Sequence, residues 1–151
     1  MKSRGGFTLI EVLVVIGILA ILAAIVVVAI NPARQFAQSR NAQRTANVNA
    51  ILNAIGQNMV DNRGEFECGA GAIPTSETVL SSSGYDIRDC IVPIYITELP
   101  VDPAVGSPFD GGSYDTGYTI EVDSTLADRI VVRAPAADEI DGEAVEISAS
   151  R

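Results

Sequence analysis

The chain has 151 residues, 48% of them hydrophobic, with 10 basic and 19 acidic side chains, no histidine and a net charge of −9. Without histidine, a Ser-His-Asp or Cys-His centre is excluded and the commonest transition-metal ligand is missing. The acidic excess disfavours nonspecific binding to nucleic acid or anionic lipid, and no specific nucleic-acid partner is expected. With no P-loop or dinucleotide fingerprint in the sequence either, the expectation is that the chain is not an enzyme.

The N-terminus carries a short basic leader with Lys2 and Arg4, then Gly5-Gly6-Phe7-Thr8-Leu9-Ile10-Glu11, then nineteen consecutive apolar or glycine residues from Val12 to Ile30. At about 1.5 Å per residue, such a helix spans roughly the 30 Å hydrocarbon core of a bilayer. Secretory signals are cut after the apolar stretch, beside small residues. Asn31-Pro32-Ala33-Arg34 offers a poor pattern for that, whereas Gly5-Gly6-Phe7 lies before the run and leaves an unhindered backbone for a protease cleft. A cut after Gly6 removes Lys2 and Arg4, takes the net charge from −9 to −11, and keeps the helix. The Lys/Arg bias places the N-terminus on the cytoplasmic side.

Thr8-Leu9-Ile10-Glu11 fits a capping box, with Thr8 as N-cap and Glu11 at the third helical position, where a negative charge suits the helix dipole. An ionised carboxylate left unpaired in lipid costs a few kcal/mol. The amino group that cleavage creates at Phe7 is a candidate partner for Glu11, in its own chain or in a neighbour. Gly17, Ala20, Ala23 and Ala24 are small residues at helical spacings; they suit close helix approach or ordinary lipid-facing positions.

Gly6-Phe7-Thr8-Leu9-Ile10-Glu11-Val12-Leu13 resembles, without a mismatch, the processing site and helix start of the type IV pilin and pseudopilin family. The resemblance implies cleavage between Gly6 and Phe7 by a prepilin peptidase, methylation of the new amino group of Phe7, and docking of subunits through Glu11. It further implies a helical homo-oligomeric filament built at an inner-membrane assembly platform with an ATPase motor, the subunit being membrane-bound before assembly and at the cell surface afterwards. Glu11 and the full-size domain favour a major pilin; a major pseudopilin of a type II secretion system is the alternative within the family. Outside it stands a membrane-anchored binding domain that never polymerises.

The expected layout is a leader at 1–6, a membrane and assembly helix at 7–30, an amphipathic half of the same long helix at 31–60 and a globular domain at 61–151. Asn31-Pro32 permits a kink or a fresh helix start. Val48, Ile51, Leu52, Ile55 and Met59 form one apolar stripe that would pack on a sheet, with Arg40, Gln43, Arg44, Asn47 and Asn58 placed mostly on other faces. Arg34, Arg40 and Arg44 either meet acidic neighbours in a filament or form a solvated positive face. Beyond Gly64, Cys68 and Cys90 sit in loop-rich sequence; in an exported domain a disulfide is favoured over reactive thiols or a metal pair. Closing such a loop stabilises a fold by roughly 3 kcal/mol in the chain-entropy model. Many major pilins instead enclose a region near the C-terminus with their disulfide.

Leu99-Pro100-Val101-Asp102-Pro103 is turn chemistry, and segments 118–122, 129–133 and 144–148 read as strands with short connections, hence an antiparallel sheet. The fold class is α+β, a long N-terminal helix laid on a small antiparallel sheet. Asp102, Asp110, Asp115 and Asp123 fall in and around a Gly-rich segment, where carbonyls would complete a calcium shell; the alternative is turn-forming and solvated aspartates. Major pseudopilins hold calcium in the corresponding region, and that likeness is the reason to weigh the metal.

Overall fold

A computed structural model describes residues 6–151. Met1 to Gly5, including the leader residues Lys2 and Arg4, lie outside the described residues. The chain forms two compact units, Met1–Phe36 and Ala37–Arg151.

In the first unit α1 (Leu9–Ile30) is a 22-residue helix in which no residue is buried. At about 1.5 Å per residue it is roughly 33 Å long, enough by length and composition to cross a bilayer. Its end is set by Asn31, which adopts a left-handed conformation with φ 46°. Asn is one of the few residues that visit this region readily. Pro32 then opens a second helix, α2 (Pro32–Asp61), in the first helical position, where a missing N–H costs nothing. The Asn31 side-chain oxygen accepts from the Arg34 N–H at 3.4 Å and its carbonyl from the Gln35 N–H at 3.3 Å. One residue thereby ends α1 and caps α2. Of the two conformations the sequence allowed here, the fresh start is the one adopted.

In the second unit the elements are the remainder of α2, β1 (Thr78–Ser81), α3 (Arg88–Ile91), β2 (Asp115–Asp123), a 3-10 turn (Ser124–Leu126), β3 (Arg129–Arg133) and β4 (Ser148–Ser150). The four strands form an antiparallel meander in the order β1-β2-β3-β4. Register pairs Ile120 with Val132 and Val122 with Ile130, so these side chains share one face with Tyr118 and meet Val48, Ile51, Leu52 and Ile55 of α2 in a common core. Met59 packs against that core from the next turn. The opposite face carries charge: Arg133 donates to Glu121 at 2.6 Å and lies 3.5 Å from Asp123.

Two elements differ from the expected strands. β1 lies where the sequence suggests only turns, and it contributes a single fully buried apolar side chain, Leu80, beside a run of serines. The last strand is displaced from 144–148 to Ser148–Ser150. Its ladder with β3 runs Val131↔Ser150, Val132↔Ala149 and Arg133↔Ser148, and Ala134 still donates to the Ile147 carbonyl at 2.9 Å.

Asn58 ties α2 to the loop region. Its amide nitrogen donates to the carbonyls of Glu67 and Cys90, each at 3.2 Å, and its oxygen accepts from the Glu67 N–H at 3.0 Å. Cys68 and Cys90 are joined in a disulfide with Cα atoms 5.1 Å apart. A single buried amide therefore holds both backbone arms that the disulfide joins. Asn58→Ala is expected to lower stability by about 1–3 kcal/mol, the penalty for stranding buried backbone groups. The check is the urea midpoint of the oxidised chain, compared with the exposed-site control Gln57→Ala.

Candidate functional site

At the entrance to α1 the local chemistry is complete. Thr8 has extended backbone, φ −81° and ψ 150°, and its hydroxyl accepts from the Glu11 N–H at 3.3 Å. The Glu11 carboxylate reaches back to accept from the Thr8 N–H and hydroxyl, both at 3.3 Å. This reciprocal capping box satisfies two of the donors that a helix start leaves open and seats a negative charge in the first turn. Phe7 immediately precedes it with an exposed ring. At Gly6 the backbone is not left-handed, and among the described residues nothing lies within 4 Å of where a Cβ would stand. Gly17 is equally open. All of α1 presents apolar side chains outward, and Glu11 is its single charged residue.

The four aspartates weighed for calcium are not brought together. Asp102 is buried, with Arg44 donating from Nε to Oδ2 at 2.6 Å and from Nη2 to Oδ1 at 3.1 Å. Its Oδ1 also accepts the N–H groups of Ala104 at 2.8 Å and Val105 at 3.1 Å, closing the turn after Pro103. Asp110 folds its own exposed loop, accepting from Gly112 at 2.9 Å and Ser113 at 2.8 Å. Asp115 opens β2 and accepts the Gly117 N–H at 2.8 Å. Asp123 caps the 3-10 turn through Thr125 at 2.8 Å, on the charged face beside Arg133. Among the described residues no group of three or more acidic or cysteine side chains is placed to hold a metal ion. These residues do not fit a calcium shell, because each carboxylate already completes a turn or an ion pair of its own.

The polar centre of the second unit is built on Arg44. Arg44 is not a solvated or intersubunit cation: its side chain is 1% exposed and bonded to Asp102 and Asp138. Arg40 forms a two-point pair with Asp138, at 2.8 and 2.7 Å. Asn41 pairs with the backbone of the same residue, donating to the Asp138 carbonyl at 2.8 Å and accepting its N–H at 2.9 Å. Arg40, Asn41 and Arg44 therefore clasp one residue of the loop after β3 while Arg44 also holds the turn at Asp102. Close approach of that turn to β2 requires Gly117, at φ 72°, where a Cβ would come 2.9 Å from the Asp102 Cβ.

The electrostatics follow from these contacts. Burial alone would raise the Asp102 carboxyl, but the bonds from Arg44 and from the Ala104 and Val105 N–H groups outweigh it and hold it below the usual carboxylate range. Asp138 is held well below that range by its bond from Arg40 and then by Arg44. Arg44 is raised, first by its bond to Asp102. The cluster stays ionised across the neutral range.

A long apolar N-terminal helix, followed by an amphipathic helix that shares one core with a four-stranded antiparallel meander, makes this an α+β chain with the layout of the pilin fold. The chain also carries that class's molecular signature: residues 1–27 match the prokaryotic N-terminal methylation motif of type IV pilins and pseudopilins. The motif implies processing by a prepilin peptidase and assembly at a membrane, and the apolar α1 fits membrane anchoring before assembly. No curated protein and no solved structure matches the chain.

Proposed function

We propose that the chain is the major structural subunit of a type IV pilus-like extracellular filament, cut after Gly6, methylated at Phe7 and polymerised through α1. The observation that carries this reading is a helix of 22 residues with no buried side chain, kept behind a methylation-motif processing site and bearing one carboxylate in its first turn. In water such a surface costs on the order of tens of kcal/mol at about 25 cal/mol per Å2. A subunit leaves the bilayer only by exchanging lipid for the helices of its siblings, supplied by an assembly platform and its motor. The role is structural rather than enzymatic, in keeping with a sequence that has no histidine.

Electron microscopy of material sheared from the cell surface, with the protein in any fibre identified by mass spectrometry, tests the reading. Long fibres of this chain support it; a short periplasmic assembly would make it a pseudopilin, and a solitary membrane protein would end it. The processing step has its own test. Gly6→Val is expected to leave essentially all protein uncut in the membrane, since a branched side chain beside the scissile bond would crowd the peptidase cleft. A mature product still beginning at Phe7 by N-terminal sequencing would contradict it.

A further inference from the structure

Cys68 and Cys90 are half-buried at the margin of the core, and both line an open cavity of about 770 Å3 together with Asn58, Glu67 and Tyr95. A small reagent in water therefore reaches the pair without the core opening. Each arm of the disulfide is also anchored by contacts that involve no sulfur. On the Cys68 side, Phe66 packs against the core and the Gly71 carbonyl accepts from the Tyr85 hydroxyl at 2.7 Å. On the Cys90 side, Ile87 and Ile91 are fully buried. Asn58, only 4% exposed, then ties the arms to each other: Nδ2 donates to the Glu67 and Cys90 carbonyls and Oδ1 accepts the Glu67 N–H. Asn62, one turn further along α2, donates to the same Oδ1 at 3.3 Å, which sets the way the Asn58 amide faces.

We propose that Cys68–Cys90 is a thiol–disulfide exchange site of the folded chain, opened by dithiols and reclosed by disulfides without loss of the fold, and that Asn58 is its positioning residue. The inference holds whether or not the subunit polymerises. In the opening step a thiolate of the dithiol attacks one sulfur of the pair; the S–S bond breaks, a mixed disulfide forms and the displaced cysteine thiolate takes a proton from water. The second thiolate of the reagent then attacks its own sulfur in the mixed disulfide and releases the other cysteine. Two electrons have passed to the protein and the dithiol has become a disulfide. Closing runs the same steps backwards, with a disulfide as oxidant. Asn58 acts through the backbone: in the reduced chain it keeps residues 67 and 90 side by side, so the entropy of bringing two free loop ends together is not lost again when the sulfurs join.

Full-length chain in detergent, without denaturant, is treated with dithiothreitol and its thiols are counted by alkylation and mass spectrometry. Both cysteines should become alkylated while hydrogen exchange finds the Glu67 N–H still protected, because its acceptor is Asn58 and not a sulfur. Equilibration with reduced and oxidised glutathione then gives the effective concentration of the two thiols for each other. Asn58→Ala should lower it by about tenfold, since the reduced arms relax and closure must order them again. Val48→Ala, a core substitution roughly 15 Å away along α2, weakens both redox states alike and should leave it unchanged. Should the alanine variant at 58 fail to fold, Asn58→Asp takes its place: it keeps an oxygen for the Glu67 N–H, loses both donated bonds and should lower the value too. A disulfide that resists dithiothreitol until urea is added would overturn the proposal, as would loss of Glu67 protection on reduction. An effective concentration unmoved by the change at 58, or lowered equally by Val48→Ala, would overturn the role of Asn58.

Discussion

Asp102→Ala is expected to destabilise the globular unit by about 3–5 kcal/mol, the range for removing one partner of a buried ion pair. Arg44 is 1% exposed, so its guanidinium has no water to turn to when Asp102 is lost. The N–H groups of Ala104 and Val105 lose their acceptor in the same stroke. Asp138 still accepts from Arg44, which moderates the loss. Asp102→Asn keeps an oxygen for the turn while removing the charge, and should fall between alanine and wild type. Replacing both partners by apolar residues of similar size, Arg44→Met with Asp102→Leu, should cost far less than Asp102→Ala alone, because no charge is then stranded.

Urea unfolding of the full chain in detergent, followed by the fluorescence of the buried Tyr85, Tyr114 and Tyr118, reads all three variants. A loss below about 1 kcal/mol would put the pair with screened surface salt bridges and contradict the buried reading. The acid limb gives a second signature with a definite sign. Asp102 and Asp138 are lowered in the folded state, so the unfolded chain binds their protons first as pH falls. Their stabilisation is complete above the ordinary carboxylate range, near pH 4, and is lost below it as pH descends through the lowered folded values. Stability should stay level from neutrality to about pH 4 and then fall, with a shallower fall in Asp102→Ala.

How much of this was legible beforehand can be traced residue by residue. The apolar run, the capping box of Thr8 and Glu11, the stripe from Val48 to Met59 and the strand at 129–133 all rest on local patterns, and the structure has them in place. Arg44 and Asn58 were misplaced, although the signal was present. Arg44 lies four residues before Val48 and Asn58 three after Ile55, so both sit in phase with the buried stripe, as do Ala37 and Asn41. Their polarity points to solvent and their phase to the core, and phase prevails. What no local pattern could supply was the identity of their partners: Asp138 is 94 residues from Arg44, and the Glu67 and Cys90 carbonyls are backbone atoms without any sequence mark. β1 and α3 escaped notice for a related reason. Each is four residues long and held by tertiary contacts, through Leu80 in one case and Ile87 and Ile91 around the other, rather than by a periodic run. The aspartates at 102, 110, 115 and 123 cluster in sequence, and of the two readings left open for them the turn-forming one describes their bonds, each accepting from the backbone of its own turn.

Glu11→Val should abolish filament formation while leaving the unfolding of the globular unit unchanged. The two effects separate because the Glu11 carboxylate bonds to Thr8 and no residue of α1 is buried. Loss of the capping box weakens the first turn of α1 by about 1 kcal/mol. Against that, a carboxylate near an apolar span costs up to about 2.5–3.5 kcal/mol in lipid, a cost that valine removes. The substituted subunit is therefore the more comfortable membrane protein, and it should accumulate there, cut and methylated at Phe7. In the proposed filament the charge of Glu11 meets an amino group created by processing, so the wild-type helix gains on leaving the bilayer what the variant cannot. Glu11→Gln separates the terms further: it retains an oxygen for the Thr8 N–H but carries no charge, and should assemble as poorly as valine. Quantifying sheared filament and membrane-retained subunit from the same cells decides the matter. Normal yield from Glu11→Gln would show that capping alone is what the residue supplies, and that assembly draws on contacts elsewhere along α1.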